Sequence, residues 1–397
     1  MLSRSENSAG GLHVLMMGQR GIPATHGGVE KAVQEIAVRM VHRGHRVTVL
    51  CRHAYTPPMA SWAGVQIVRL PTIRQKNLDM IVHTLVGAIW SWFHQCDVVH
   101  LHGVDPAIVR PLISWRHPVV VTSHGKAYLR EGWGALPLAA SKYAESVFLS
   151  GRHVRTAVSR TLCEYYKSAS GREVHYVPNG VVTKPRQDPS LVRDLGVEPG
   201  SYVLYVGRID RAKGVHLLQD AFLRSNRDDL KLAIVGDLSR MDDYVVELLQ
   251  AQSDRVVFLG FRSGAVLQAL YDHCRLFVLP SYTEGLPNVL LEALASRCEL
   301  VFSDLPPNIE IAGGLGSAFR CGDVDDLARV MDCALQQPSD RGHDAEMVTM
   351  RLREYDWDRI VDSYLESYRE AITGRRVGTG SSRPSGPAGP HGESFGR

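Results

Sequence analysis

Paired cysteines are missing from this chain. The seven cysteines, at positions 51, 96, 163, 274, 298, 321 and 333, are scattered and never form a Cys-x-x-Cys pair. An odd, dispersed set of this kind predicts neither a disulfide framework nor a structural zinc site, and points to a reducing, cytoplasmic compartment. A membrane-spanning run is missing too. The most hydrophobic stretch, LDMIVHTLVGAIWSWFH from Leu78 to His94, is short and interrupted by Asp79 and His83. It reads as a core helix, with a membrane-touching helix as the second reading. The polar start MLSRSENSAGG shows no signal-peptide pattern. The turn after the first strand, GQRGIPATHGGVE, has no Gly-x-Gly-x-x-Gly, and the second strand ends in VLCRH without an acid for a ribose, which argues against nicotinamide binding. Zinc-finger, RNA-recognition and helix-turn-helix signatures are likewise absent, so no nucleic-acid partner is expected.

What is present is an ordinary globular composition, 44% hydrophobic and 22% charged, over 397 residues, enough for two domains. The net charge of +3 conceals a division. Residues 1–180 carry 20 Lys+Arg against 10 Asp+Glu, and the remainder 25 against 32. The N-terminal half therefore favours an acidic surface or an anionic ligand. Apolar runs at Leu12–Met17, Arg46–Cys51, Val65–Leu70, Asp97–Leu101 and Pro118–Thr122 alternate with amphipathic stretches, the clearest being Val29–Val41. That alternation predicts a doubly wound parallel α/β sheet. It breaks at VPNGVVTKPRQDPS and restarts with SYVLYVGR, LKLAIVGD, RVVFLG, CRLFVLP and CELVFSD, predicting a second such sheet. The expected division is 1–180, 181–373 and a disordered Gly/Ser/Pro-rich tail over 374–397. The last helices before the tail are candidates to pack back on the first domain. Two such domains place ligands in the cleft at the carboxyl ends of their strands.

Four strand-end loops carry candidate chemistry. In THGGVE, Gly27 and Gly28 precede a helix whose unpaired N–H groups form an anion site; a plain flexible turn is the alternative. In VVVTSHGKAY, His124 follows the fifth strand, although a lone histidine is more often structural. In YVGRIDRAKGVHLL, Arg208 leaves a strand end and Lys213 opens a helix, where two cations can neutralise a diphosphate. In SYTEGLPNVLLEALAS, Glu284 and Glu292 straddle a Gly-Leu-Pro turn. Pro287 suits the first helical position and Gly285 admits a close ligand. Two carboxylates around an anion site suit a ligand with phosphate in the middle and hydroxyls at both ends, as a nucleotide sugar has. His100 and His102 share a strand face in VVHLHGVDP, but no third metal ligand is evident; His102 reads instead as an acceptor-side hydrogen-bonding residue.

Taken together, YVGRIDRAKGVHLLQDAF, LAIVGD, VVFLGF and PSYTEGLPNVLLEALA, with RGIPATHGGVE and YVPNG, resemble the retaining GT-B glycosyltransferases of family 4, in a bacterial branch associated with surface polysaccharides. The resemblance covers roughly residues 12 to 372. It implies two Rossmann-like domains around a central cleft and a metal-independent, cofactor-free transfer from a nucleotide-diphosphate sugar to a saccharide or lipid-linked hydroxyl acceptor. It assigns the donor diphosphate to Arg208 and Lys213, with Gly27 and Gly28 and the backbone N–H groups from Gly285 through Leu286 to Pro287. Glu292 would hold the ribose, Glu284 the transferred sugar, and His124 would lie by the reacting centre. In this group the leaving phosphate is described as taking the acceptor proton on the same face; Glu284 as a nucleophile is the alternative. The chain departs from many relatives in having Gly285-Leu286-Pro287 where they have Phe-Gly, and in following PNGV with Val182 rather than Asp. Competing readings are a natural-product glycosyltransferase with a soluble acceptor, a nucleotide-sugar epimerase of the same plan, and a non-catalytic sugar-binding protein. A cytoplasmic protein in peripheral contact with an anionic inner membrane face is expected.

Overall fold

The computed structural model describes residues 11–25, 27–73, 78–126, 134–225, 227–239, 241–250, 253–337 and 345–379, with side chains to 374. Two parallel sheets organise them. The first holds β1 (His13–Met17), β2 (Arg46–Arg52), β3 (Ser61–Trp62), β4 (Val65–Leu70), β5 (Val98–His102), β6 (Val119–Ser123), β7 (Val154–Ala157) and β8 (His175–Tyr176). Its order is β3-β4-β2-β1-β5-β6-β7-β8, parallel throughout except for the short β3–β4 pair. The second holds β9 (Tyr202–Val206), β10 (Lys231–Val235), β11 (Val256–Gly260), β12 (Leu276–Leu279), β13 (Leu300–Ser303) and β14 (Ser317–Phe319), in the order β11-β10-β9-β12-β13-β14. The ten strands anticipated from apolar runs are all present. Strands β3, β7, β8 and β14, of two to four residues, were not anticipated, because so short a run sets up no periodicity.

Central strands such as β1, β5, β6 and β9 are buried along nearly their whole length, as parallel strands covered on both faces must be. Strand order reverses beside β1 in the first sheet and beside β9 in the second. At such a switch point neighbouring connections run to opposite faces and leave a crevice at the carboxyl ends of the strands. The loops after β1, β5 and β6 and those after β9 and β12 all leave from those ends, so both sheets offer their binding edges.

The final helix, Trp357–Thr379, ties the chain back on itself. Trp357, Ile360, Val361, Tyr364 and Tyr368 join a buried cluster with Val14, Met16, Val47, Val98 and Val120 of the first sheet. The crossing is tight: a Cβ on Gly180 would lie 2.6 Å from the Trp357 ring, so the linker needs glycine there. The helix continues to Thr379, into the segment expected to be disordered from 374, because extending a docked helix fixes only one residue per added hydrogen bond. The rest of that tail, 380–397, lies outside the described residues.

The helix Leu78–Phe93 is inverted relative to an ordinary core helix. Its buried positions are His83, Thr84, Gly87, Ala88 and Ser91, whereas Leu85, Ile89 and Phe93 face outward. A Cβ on Gly87 would fall 2.6 Å from Met17, so small residues let the helix sit close to the sheet and leave its large apolar side chains outside.

Candidate functional site

The two sheet edges meet across the cleft through backbone. Gly285, after β12, lies against the loop after β6: a Cβ there would come within 2.2 Å of the His124 carbonyl oxygen and 3.1 Å of the Gly125 Cα. Gly125 itself has φ +143°, a conformation that side chains rarely tolerate. Nearby, Asn288 donates from Nδ2 to the Gly28 carbonyl at 3.4 Å and accepts from Asn179 Nδ2 at 3.0 Å. One asparagine thus links helix Asn288–Ala295, the Gly27–Gly28 turn and the interdomain linker. The linker had supplied no contact in the sequence reading, and this pair is one that it makes.

Helix Gly28–His42 starts straight from Gly27, which has φ +91° and caps none of the first N–H groups with a side chain; the Glu30 carboxylate lies beside Gly27. The helix after the Gly285 turn begins at Asn288, not at Pro287. Pro287 is the capping residue, with φ −77° and ψ 95°, and its carbonyl accepts from Leu290 N at 3.0 Å. Proline also has no N–H, so it cannot donate to a phosphate as the sequence reading required; amides on either side, of Gly285, Leu286 and Asn288, are the available donors. The Leu286 side chain is buried in the core.

Lys213 and Glu284 form an ion pair, Nζ to Oε1 at 2.7 Å, and Ser281 Oγ donates to the same oxygen at 2.7 Å. Their side chains are only 16% and 7% exposed, so each compensates a charge that burial would otherwise penalise. Lys213 closes a short 3₁₀ turn, Arg211–Lys213, ahead of helix Val215–Arg224, instead of opening that helix. Asp210 caps the turn by accepting from Lys213 N at 3.1 Å and also pairs with Arg208 at 2.8 Å. Arg208 is 67% exposed and pairs with Asp210.

Glu292 is held at both oxygens. Tyr271 Oη donates to Oε2 at 3.2 Å, and Lys31, from the first sheet's side, pairs with Oε1. Burial beside Glu292 pushes the Tyr271 hydroxyl well above its usual range, which keeps it a donor. Lys31 escaped sequence reasoning although it left a signal: a cation in the first turn of a helix opposes the dipole and calls for a compensating acid. Tyr271, Ser281, Asn179 and Asn288 left none.

His102 and His124 are joined, Nδ1 to Nε2 at 3.3 Å. His100 stacks on His102 with ring centroids 3.8 Å apart, and bonds Tyr368 Oη at 2.8 Å and Thr122 Oγ1 at 2.6 Å. Burial lowers all three, His124 to about 4, so they are neutral at pH 7. Both His100 nitrogens are therefore engaged by hydroxyls. Among the described residues no cluster of three His, Cys, Asp or Glu is placed to hold a metal ion, and no helix is long and apolar enough to cross a membrane.

Two parallel sheets with facing carboxyl ends, joined by a linker and a returning helix, define a GT-B fold. Solved structures agree: sucrose-phosphate synthase from Thermosynechococcus elongatus (TM-score 0.76, 18% identity, 91% of this chain and all of that one) and Anabaena HepE in complex with UDP and glucose (TM-score 0.74, 21%, 90% and all). Residues 26–184 match the model described as Glycosyltransferase Family 4, and residues 200–337 that of Glycosyl transferases group 1. The chain belongs to glycosyltransferase family 4. Similar curated proteins include glycogen synthase of Mycobacterium tuberculosis, 26% identical over 92% of this chain and 96% of that protein. Another is the GDP-mannose:cellobiosyl-diphosphopolyprenol alpha-mannosyltransferase of Xanthomonas campestris, 26% identical over 87% and 94%.

The burial of Lys213 and the exposure of Arg208 separate two variants. Lys213→Ala leaves Glu284 buried without its cation and should cost about 3 kcal/mol of stability, as breaking a buried pair does. Arg208→Ala should stay within about 0.5 kcal/mol of wild type. Urea denaturation of both proteins measures the difference; equal midpoints would refute it.

Glu292→Gln removes the charge that meets Lys31 while keeping an acceptor for Tyr271. Nucleotide-diphosphate affinity, read by calorimetry, should fall roughly tenfold, the size of one charge-assisted hydrogen bond. Unchanged affinity would return Glu292 to a purely structural role.

Proposed function

We infer that this glycosyltransferase moves a sugar, with retention of anomeric configuration, from a nucleotide-diphosphate sugar to a hydroxyl of a saccharide or lipid-linked acceptor in cell-surface polysaccharide or glycoconjugate synthesis. The observation that carries the reading is the buried Lys213–Glu284 pair set beside Gly285, where the donor-side turn touches the His124 loop. A leaving diphosphate gains charge in the transition state, and fixed cations and helix-start amides stabilise it there without reorganising. Lys213 and Arg208 supply the cations. The amides of Gly285, Leu286 and Asn288 and the Gly27–Gly28 helix start supply the dipoles. Glu292 takes the ribose hydroxyls, as its position opposite Lys31 allows. Glu284 binds the transferred sugar; the hydrogen bonds it accepts from Lys213 and Ser281 suit it to holding hydroxyls better than to attack. In this reading the phosphate takes the acceptor proton on the face it leaves, and neither metal nor cofactor is called for.

Assay of the purified protein with UDP-, GDP- and ADP-sugars, with and without acceptor, tests this. Acceptor-dependent release of nucleotide diphosphate, with an α-linked product from an α-linked donor, is the expected outcome. Interconversion of the donor sugar without acceptor would favour the epimerase reading, and no turnover the sugar-binding one.

The inverted helix favours a membrane-bound acceptor. Its outward Phe93, 77% exposed, and Ile89 lie one turn apart, and Trp115, 81% exposed, packs edge-on against Trp92 of the same helix, which donates to the Leu112 carbonyl, all in the half that carries net positive charge. The Xanthomonas relative's name states a diphosphopolyprenol-linked acceptor. The patch would enter an anionic membrane surface peripherally, drawn by basic residues at about 1 kcal/mol each at low salt. Co-sedimentation should show binding to phosphatidylglycerol vesicles at low salt, weakened by 0.5 M salt (roughly a 4 Å Debye length) and by the pair Phe93→Ser and Trp115→Ser. A protein that stays in the supernatant at low salt would favour a soluble acceptor.

A further inference from the structure

The His102–His124 pair has an unbalanced hydrogen-bond account. Both imidazoles are neutral, so each carries one proton, and a single bond, His102 Nδ1 to His124 Nε2, joins them. The remaining nitrogens, His102 Nε2 and His124 Nδ1, are buried and have no hydrogen-bond partner. Two arrangements satisfy the shared bond. If His124 donates, its own Nδ1 is a bare acceptor and His102 is left with an orphaned Nε2–H. If His102 donates, its Nε2 is a bare acceptor and the orphaned N–H is on His124 Nδ1.

The two differ in where the unpaired donor sits. His102 is 2% exposed, at the end of β5 and stacked on His100, with no route for a ligand. An N–H stranded there loses its whole hydration energy permanently, and buried unpaired donors are rarer than under-satisfied acceptors. The Nδ1 of His124 is covered as well, but the residue is partly exposed, on the loop that meets Gly285 at the cleft. A donor stranded on His124 therefore lies at the cleft wall, where a small shift of the ring lets a ligand oxygen reach it.

We propose that His102 is a positioning residue that donates from Nδ1 to His124 Nε2, fixing His124 in the tautomer that carries its proton on Nδ1. His124 then meets the nucleotide sugar as a hydrogen-bond donor, toward an anionic or hydroxyl oxygen, and not as a base. The surroundings hold His102 rigidly enough for this. His100 beneath it is locked by Tyr368 and Thr122, and Thr122 Oγ1 is in turn 2.6 Å from Thr156 Oγ1. The returning helix that carries Tyr368 thus supports a ring stack that ends in the cleft. This rests on the functional reading above only in naming the oxygen His124 meets.

Ring ¹⁵N NMR of the protein labelled in its histidines, with the His124 signals assigned by their loss in His124→Gln, reads the tautomer directly. The result expected is a protonated Nδ1 and an unprotonated Nε2 in wild type, and a mixture of both tautomers in His102→Phe. A protonated Nε2 in wild type, or no change in His102→Phe, overturns the proposal, and the wild-type spectrum decides it even if the phenylalanine variant misfolds. In the transfer assay, His102→Phe should lower kcat about 10- to 100-fold with donor KM within about threefold, the range seen when the residue orienting a site histidine is lost. His102→Asn, whose amide N–H replaces Nδ1–H, should recover most of kcat and restore the single tautomer; failure of that rescue would count against the proposal. If the tautomer is as stated but no nucleotide sugar is turned over, the functional reading fails while the role of His102 stands.

Discussion

Everything at the cleft depends on how closely two backbones approach. The Gly285 turn of one sheet and the His124 carbonyl of the other meet with no room for a side chain, so a single methyl group at 285 would part the two halves. Glycine at 125, with φ +143°, completes the contact from the other side. Loops that touch at backbone range bring their attached groups within reach of one small ligand: Glu284 and Lys213 on one wall, His124 and the start of helix Gly28–His42 on the other. A bulkier residue at 285 would leave each group intact and the site disassembled.

With the halves so close, charges at the cleft find partners in each other. Lys213 answers Glu284 within one half, and Lys31 answers Glu292 across the cleft. These pairs differ in character. The first is nearly enclosed and holds the Glu284 carboxylate in a fixed direction. The second is formed by a lysine side chain that is 43% exposed, so solvent screening makes it weak and a ligand hydroxyl can compete for Glu292 at little cost. A rigid pair on one wall and an exchangeable one on the other fit the two-sided site proposed for a nucleotide sugar.

The N-terminal sheet does more than carry loops. Its β5 strand builds a buried stack from Tyr368 through His100 to His102, ending at His124, so the returning helix reaches the cleft by way of hydrogen bonds and ring contacts. On the opposite flank, helix Leu78–Phe93 turns small residues to the sheet and large ones to the outside, giving this half an apolar face alongside its positive charge.

Much of the architecture was legible in the chain itself. Parallel strands buried on both faces must be apolar along their length, so ten of the fourteen described strands announced themselves, and the linker and both binding edges followed from their alternation. Glu284, Glu292, Arg208 and Lys213 stood out because their residue types and spacing flank glycine turns at strand ends. Pro287 misled about the helix start because its fixed φ suits the first helical position, and only its ψ of 95°, outside the helical range, shows that it stands just before the helix. Leu78–His94 does pack on the core as read, but hydropathy measures how apolar a helix is and not which face it buries. Only the tertiary structure could supply Lys31 against Glu292, 261 positions apart, or Asn179 against Asn288, since nothing local links such residues. The same holds for His102 and His124: sequence shows two histidines on neighbouring strands, but parallel pairing in register, with His102 opposite Thr122, is what sets their rings side by side.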